Sequence, residues 1–535
     1  MLHYDAGNGR SYLEKTATAF QEAVKDIEYE PGKKGVFIDI EHSKTDTTGS
    51  SVLNTLSSSQ YDVFLTSGVD PIAAKNNGYV MDVSSLMNAT SADGVKFADE
   101  TSIYDRMYPD MQKVFANEDG SMYTIPMFLL SYHFFYDVEL VQSKKLFIKD
   151  GSTDASLQFT GDINQAQKGV DGVKGTADDG MPETYDQFYL WIAKVQSVGV
   201  MPFHYSGLYQ QHVDFALQQF WADFEGYDRA KVCWTFDGTE VNDLIDVAED
   251  GTISYLPATA ITTDNGYMVQ KQEGRYRVLQ LAKALADSMK TDKPYINSMA
   301  FSPSENHTEA QGTYIMSKYT QNPIMMFAEG QYWEAEATDK FTSLESRKGG
   351  KLDRKFAVLP TPKYTRAEVG ENSRTTMLVT NGMTMFLHKN VETRANSQAT
   401  KDFFMFFNKA ENMDMQNAES ASVRPYEYEI DSTVAATMSH YLKNYHALVN
   451  NPRTDLVFAS DNNALYRANV DNLDRYYWIF NSQYRDGSDE STYYSVKTFK
   501  ENSNNENLVT VKDYFDGLYK LAVKNWPSFK QAAGL

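Results

Sequence analysis

The side chains of this sequence best suited to chemistry are flat aromatic rings set beside carboxylates, amides and guanidinium groups. The run "AEGQYWEAE" gathers them most tightly, with Tyr332, Trp333 and Glu334 following a turn at Glu329-Gly330. A ring face covers apolar C–H surface and a planar polar group binds hydroxyls in pairs, which together hold a sugar without reacting it. Further polar sets recur along the chain. "DAGNGR" carries Asp5, Asn8 and Arg10, and "SGVD" carries Ser67 and Asp70. "MPFHYSG" carries His204 and Tyr205, and "SVRPYEY" carries Arg424. Each polar residue taken singly also suits a turn, a cap or an ion pair. Trp333 is the one expected to stack on a ligand.

A second pattern is "VDGVKGTADDG", residues 170–180, where Asp171, Asp178 and Asp179 crowd a glycine-punctuated loop. Unpaired carboxylates repel one another, and hard cations take such oxygen-rich, flexible loops, so one structural Ca²⁺ is expected there. The spacing is not that of an EF-hand, because no glutamate stands at position twelve. It resembles the D-G-x-x-G-T-x-D-D-G calcium loops of some secreted bacterial proteins. The plainer reading is a solvated acidic turn before the helix near Thr184. Enzyme signatures are poor: there is no G-x-S-x-G elbow, no phosphate-binding lysine loop and no H-E-x-x-H. Carboxylate pairs such as Glu334 and Glu336 abound in an acidic chain, which keeps a glycan-active hydrolase as the alternative.

These residues need elements to hold them. "NPIMMFA" is apolar on both faces, as a central covered strand should be, and the Glu329-Gly330 turn leads straight into a helix. That places Tyr332 and Trp333 at the carboxyl edge of a sheet, where ligands of open α/β folds bind. The first 85 residues alternate strand and helix signals. "SYLEKTATAFQEAVK" is a helix with Ser11 and Glu14 as a capping box, while "GVFIDIEHS" and "YDVFLTSG" are strands. "ETYDQFYLWIAKVQSVG" is a helix capped by Thr184 and Gln187, followed by helices at "DFALQQFWADF" and "EGRYRVLQLAKALADSM". Strand signals return at "NPIMMFA", "KFAVLPTPK" and "NGMTMFLHKN". The end is mainly helical, as in "ATKDFFMFFNK" and "DNLDRYYWIFNSQY".

The chain has 535 residues, more than one hydrophobic core normally supports. Its net charge of −22 leaves no basic face for phosphates, so nucleic acid is excluded as a partner. No apolar run approaches the ~18 residues of a membrane span, which predicts a soluble chain. The single Cys233 cannot form an internal disulfide and is expected in the core. No charged-then-apolar leader opens the sequence, so its start does not fix the compartment.

The order of these pieces resembles the extracellular solute-binding proteins of ABC importers, of the family that mostly binds sugars. The matching stretches are "YDVFLTSGVDPIAAKNNGYVMDVSSLM", "YTIPMFLLSYHFFYDVEL", "ETYDQFYLWIAKVQSVGVMPFHYSG", "NPIMMFAEGQYWEAE" with "FAVLPTP", and "TNGMTMFLHKNVE…ATKDFFMFF". The resemblance implies a non-catalytic, monomeric protein with two α/β lobes and a hinge, delivering a carbohydrate, an oligosaccharide, to permease subunits. It also implies a lipid-anchored place outside the cell, although the anchoring cysteine of Gram-positive members has no counterpart here. The return of strand signals divides the lobes as 1–135 with 312–374, and 136–311 with 375–535, the latter carrying a helical C-terminal extension. Two other readings stand beside this one: the secreted hydrolase, and a binder of a peptide or a modified amine.

Overall fold

The computed structural model describes residues 1–348, 350–458, 495–501 and 509–533. The helix expected over "DNLDRYYWIFNSQY" lies outside the described residues. The chain forms two units, each from separate segments. The first comprises Met1–Leu130, Gln331–Thr338 and Thr380–His446, and the second Ser131–Gly330, Asp339–Val379 and Ala447–Leu535.

In the first unit the strand Leu2–Tyr4 runs parallel to Glu41–Ser43 on one side and to Val63–Thr66 on the other. The later half of the Thr375–Leu387 strand lies antiparallel to Val63–Thr66 and also pairs with Ile125–Leu130. One core cluster sits against this sheet, where the rings of Phe64 and Phe386 stack at 4.8 Å beside Leu2, Val52 and Leu56. The helix Ser11–Ala23 buries Tyr12, Leu13, Thr16, Ala17 and Phe20, a single face at helical spacing. Its expected capping box does not form. The helix begins at Ser11 itself, and the Ser11 hydroxyl donates instead to Glu419 at 2.6 Å. The strand expected over "GVFIDIEHS" is reduced to Glu41–Ser43, and the Ile38 N–H donates to the Gln21 side chain at 2.8 Å rather than to a neighbouring strand.

In the second unit the strand Ile324–Gly330 is central and buried at all seven positions. It runs parallel to Met201–His204 and antiparallel to Tyr132–Asp137, which pairs in turn with Phe356–Val358. The helix Tyr185–Ser197 starts as the sequence predicts, with the Thr184 hydroxyl accepting from the Gln187 N–H. The Gln187 side chain, however, accepts from the Glu183 N–H, one residue before the expected partner. The helices Gln211–Thr235 and Glu273–Ser288 pack on each other, and Gly226, at φ 72° and ψ 175°, kinks the first of them. Cys233 lies buried on that helix.

The lobe boundaries drawn from the sequence need correction. Residues 312–374 were expected beside 1–135, yet Ile324–Gly330 and Phe356–Val358 extend the sheet of Tyr132–Asp137. Only Gln331–Thr338 of that stretch belongs to the first unit, while Thr380–His446 joins it through strand pairing with Val63–Thr66. Alternation announces that strands are present; it does not announce which sheet they enter. Among the described residues, no helix is long and apolar enough to cross a membrane.

Candidate functional site

The first unit gathers two of the loops singled out in the sequence. Gly7 has φ +62°, and a Cβ there would stand 3.3 Å from the Tyr332 ring, so the Asp5–Arg10 loop lies directly against that tyrosine. The Gly7 N–H donates to Glu336 at 3.2 Å. Asn8 donates to the Ser422 hydroxyl, which also accepts from the Gln331 amide at 3.0 Å. Ser439 donates to the Glu334 carboxylate, and the Tyr441 hydroxyl donates to the Gln331 carbonyl. The result is a polar and aromatic cluster around the chain that leaves the Ile324–Gly330 strand.

Several residues named from the sequence take structural places in the first unit. Trp333, expected on an open wall, is fully buried, with Tyr441 at 5.7 Å. It opens the short helix Trp333–Glu336, whose side chains meet Tyr441, Ser439 and the Gly7 N–H. Asp5 and Arg10 hold each other, with Nε to Oδ1 at 2.8 Å. Ser67 accepts from the Gly49 N–H at 2.9 Å, and Asp70 caps the helix Pro71–Asn77 through the Ala73 N–H at 2.7 Å. Arg424 is fully buried, donating to Asn408 at 2.7 Å and to Gln416, with the Phe407 and Tyr426 rings at 5.5 and 5.1 Å. In this structure it clasps the interior of the unit.

His204 and Tyr205 belong to the second unit and are likewise fully buried. The His204 ring lies 3.3 Å from Glu305, and burial holds its pKa below the usual histidine value. Sequence reasoning passed over the neighbouring set. Glu329, at the carboxyl end of the central strand, lies 2.8 Å from His212 Nδ1 and accepts from the Gly330 N–H at 2.9 Å. Tyr132 packs at 5.2 Å from the His212 ring and Tyr209 stacks on it at 5.9 Å. The signal for this set was its position: Glu329 ends a strand, and "YQQH" opens a helix. Glu329 is fully buried, and His212 and Tyr132 are buried beside it, so in this structure the set is a packed polar cluster at a strand end.

The acidic loop of the second unit is closed by its own bonds. Asp171 accepts from the Val173 N–H at 2.7 Å and lies 3.1 Å from Arg453. Asp178 accepts from the Asp171 N–H at 3.0 Å and from Thr176 at 2.7 Å, and burial raises its pKa. Asp179 accepts from the Gly175 N–H at 2.8 Å and lies 3.3 Å from Lys174. Its Oδ1 is buried with no hydrogen-bond partner. Among the described residues no three acids, histidines or cysteines form a metal-ligating group. The loop therefore fits a cation only in part.

These two units, each a sheet flanked by helices and threaded by several chain segments, define a mixed α/β fold of the two-lobed periplasmic-binding-protein type. Solved structures of that type match the chain almost end to end. A chitin oligosaccharide binding protein aligns at TM-score 0.54 and 13% identity, covering 99% of each chain. A structure described for xylan utilization by the thermophilic bacterium Caldanaerobius polysaccharolyticus aligns at 0.53 and 12%, covering 97% of this chain and 98% of that one. The maltose-bound MalE3 of T. maritima aligns at 0.51 and 11%, covering 98% of each. At these identities the likeness is one of fold. No family model matches the sequence, and no curated protein does.

Proposed function

We propose that this protein is a non-catalytic carbohydrate-binding protein that captures an oligosaccharide outside the cell and hands it to the permease subunits of an ABC importer. The observation that carries the reading is the two-way coverage of nearly whole chains by a chitin oligosaccharide binding protein and a maltose-bound one. The side chains at the strand ends are compatible with it, since tyrosines, amides and carboxylates supply the donors and acceptors that hold sugar hydroxyls, and the test below separates capture from cleavage by a carboxylate pair. A place at the cell surface, with a lipid anchor, and a monomeric state belong to the same proposal and rest on resemblance.

A thermal-shift screen against neutral oligosaccharides tests it, because a ligand that binds only the folded state raises the melting temperature. At least one should raise it, and the same sugar should come back intact after prolonged incubation. Shortened products would replace the proposal by the glycan hydrolase. A response only to peptides or amines would replace carbohydrate as the ligand.

A further inference from the structure

The second unit holds a hollow of about 490 Å³, apart from the candidate residues described above and bordered by the start of the Tyr185–Ser197 helix with its cap Thr184. Its walls include Tyr189, Tyr364, Arg277, Gln280, Asp186 and Arg366. Tyr189 stands one helical turn after Tyr185 and is half-buried, so its ring edges the hollow from the Tyr185–Ser197 helix. The Tyr364 ring is held on three sides, by Tyr185 at 5.6 Å, Phe224 at 5.1 Å and the Arg277 guanidinium at 4.8 Å. Such a ring is a rigid platform at low entropic cost.

The polar groups are set as firmly. Arg277 donates to Glu273 at 2.6 and 2.9 Å and to the Gln280 carbonyl at 3.2 Å. That fixes the Gln280 amide with its NH₂ left to donate. Arg366 donates to Asp154 at 3.2 Å and pairs with Glu183. Both guanidinium groups are thus neutralised by carboxylates of this unit, and Asp186 adds an exposed negative charge at the rim. An anionic ligand would gain no free cation here and would meet like charge.

We propose that this hollow is a subsite for one or two residues of a neutral oligosaccharide, stacked on Tyr189 and Tyr364 and bonded by the Gln280 amide. The inference rests on the carbohydrate reading above. It adds that uronic-acid and sulfated sugars are rejected. Burial pushes the Tyr189 hydroxyl up to about 12, so that group remains a donor across the physiological range.

The test is isothermal titration of the full chain with maltotriose, chitotriose, raffinose and xylotriose, and with trigalacturonate as the anionic probe. The neutral sugar that binds is then titrated into Tyr189→Ala and Gln280→Leu, each checked by its unliganded melting curve. The expected result is a loss of about tenfold or more in affinity in each variant, with trigalacturonate weaker than the neutral sugar by a similar factor. If Tyr189→Ala fails to fold, Gln280→Leu decides alone. Neutral sugar binding that stays within about twofold in the folded variants overturns the subsite and leaves the carbohydrate reading standing. Equal affinity for trigalacturonate overturns the exclusion of anions. Absence of binding by every neutral sugar overturns the carbohydrate reading and the subsite with it.

Discussion

The indole of Trp333 lies 5.7 Å from the ring of Tyr441, inclined at 55°, and both side chains are fully buried. A tryptophan read from sequence as a wall for ligand is here part of the interior of its unit. Trp333→Ala should therefore cost about 3–5 kcal/mol of stability, read by urea denaturation without ligand. Trp333→Phe keeps a ring and a smaller volume. If it binds sugar normally while less stable, the residue is core; if it is as stable but binds weakly, the indole also serves the ligand.

Asp214 gives a pH dependence of definite sign. Burial raises its pKa from 3.8 to about 7, against the opposing bonds from Ser495. The folded state thus holds this proton more tightly than the unfolded state. Its contribution to stability is fully present below about pH 4 and is lost as the pH rises to about 7. Asp214→Asn should remove that slope while keeping an acceptor for the Ser495 N–H. The measurement is the difference in unfolding free energy between the two proteins at pH 4, 5.5 and 7, expected to change steadily across the series.

Arg424 tests a clasp. A lysine keeps the charge but cannot reach Asn408 and Gln416 together. Arg424→Lys should lower stability by about 1–3 kcal/mol, the cost of leaving a buried acceptor unmet. Sugar affinity in the folded variant should stay near that of the parent. A large affinity loss with stability intact would return Arg424 to the ligand site.

Calcium at residues 170–180 stands as a proposal from the sequence pattern, with the partnerless Asp179 Oδ1 as its structural support. Chelation should lower the melting temperature and added Ca²⁺ should restore it. An unmoved melting temperature would leave Arg453 and Lys174 as the counter-charges of that loop.

Elements were more legible than their partners. The apolar run of Ile324–Gly330 marked a central strand and Thr184 marked a helix start, because both signals are local. Sheet membership was not legible: the same apolar run fits either unit, and only its pairing with Tyr132–Asp137 decides. Burial of Trp333, His204 and Arg424 was hidden for a similar reason. A polar or aromatic residue near a strand end looks alike whether it faces solvent or distant segments such as Ser439–Tyr441. His212 and Glu329 were missed because they lie more than a hundred residues apart and neither stands in a motif.

The interleaving of segments sets an order of events during synthesis. The opening Met1–Leu130 segment cannot complete its unit until Thr380–His446 has been made, roughly 300 residues later. At ribosomal speeds of about 5–20 residues per second, that stretch waits for something like 15–60 s with Val63–Thr66 lacking its antiparallel neighbour. The early sheet edge is a bare template in that interval, open to holding factors or to mispairing. The later half of the Thr375–Leu387 strand closes it. A stop codon placed between the two segments should therefore yield an aggregating fragment, whereas one placed just past His446 should release a chain whose first unit is already sealed.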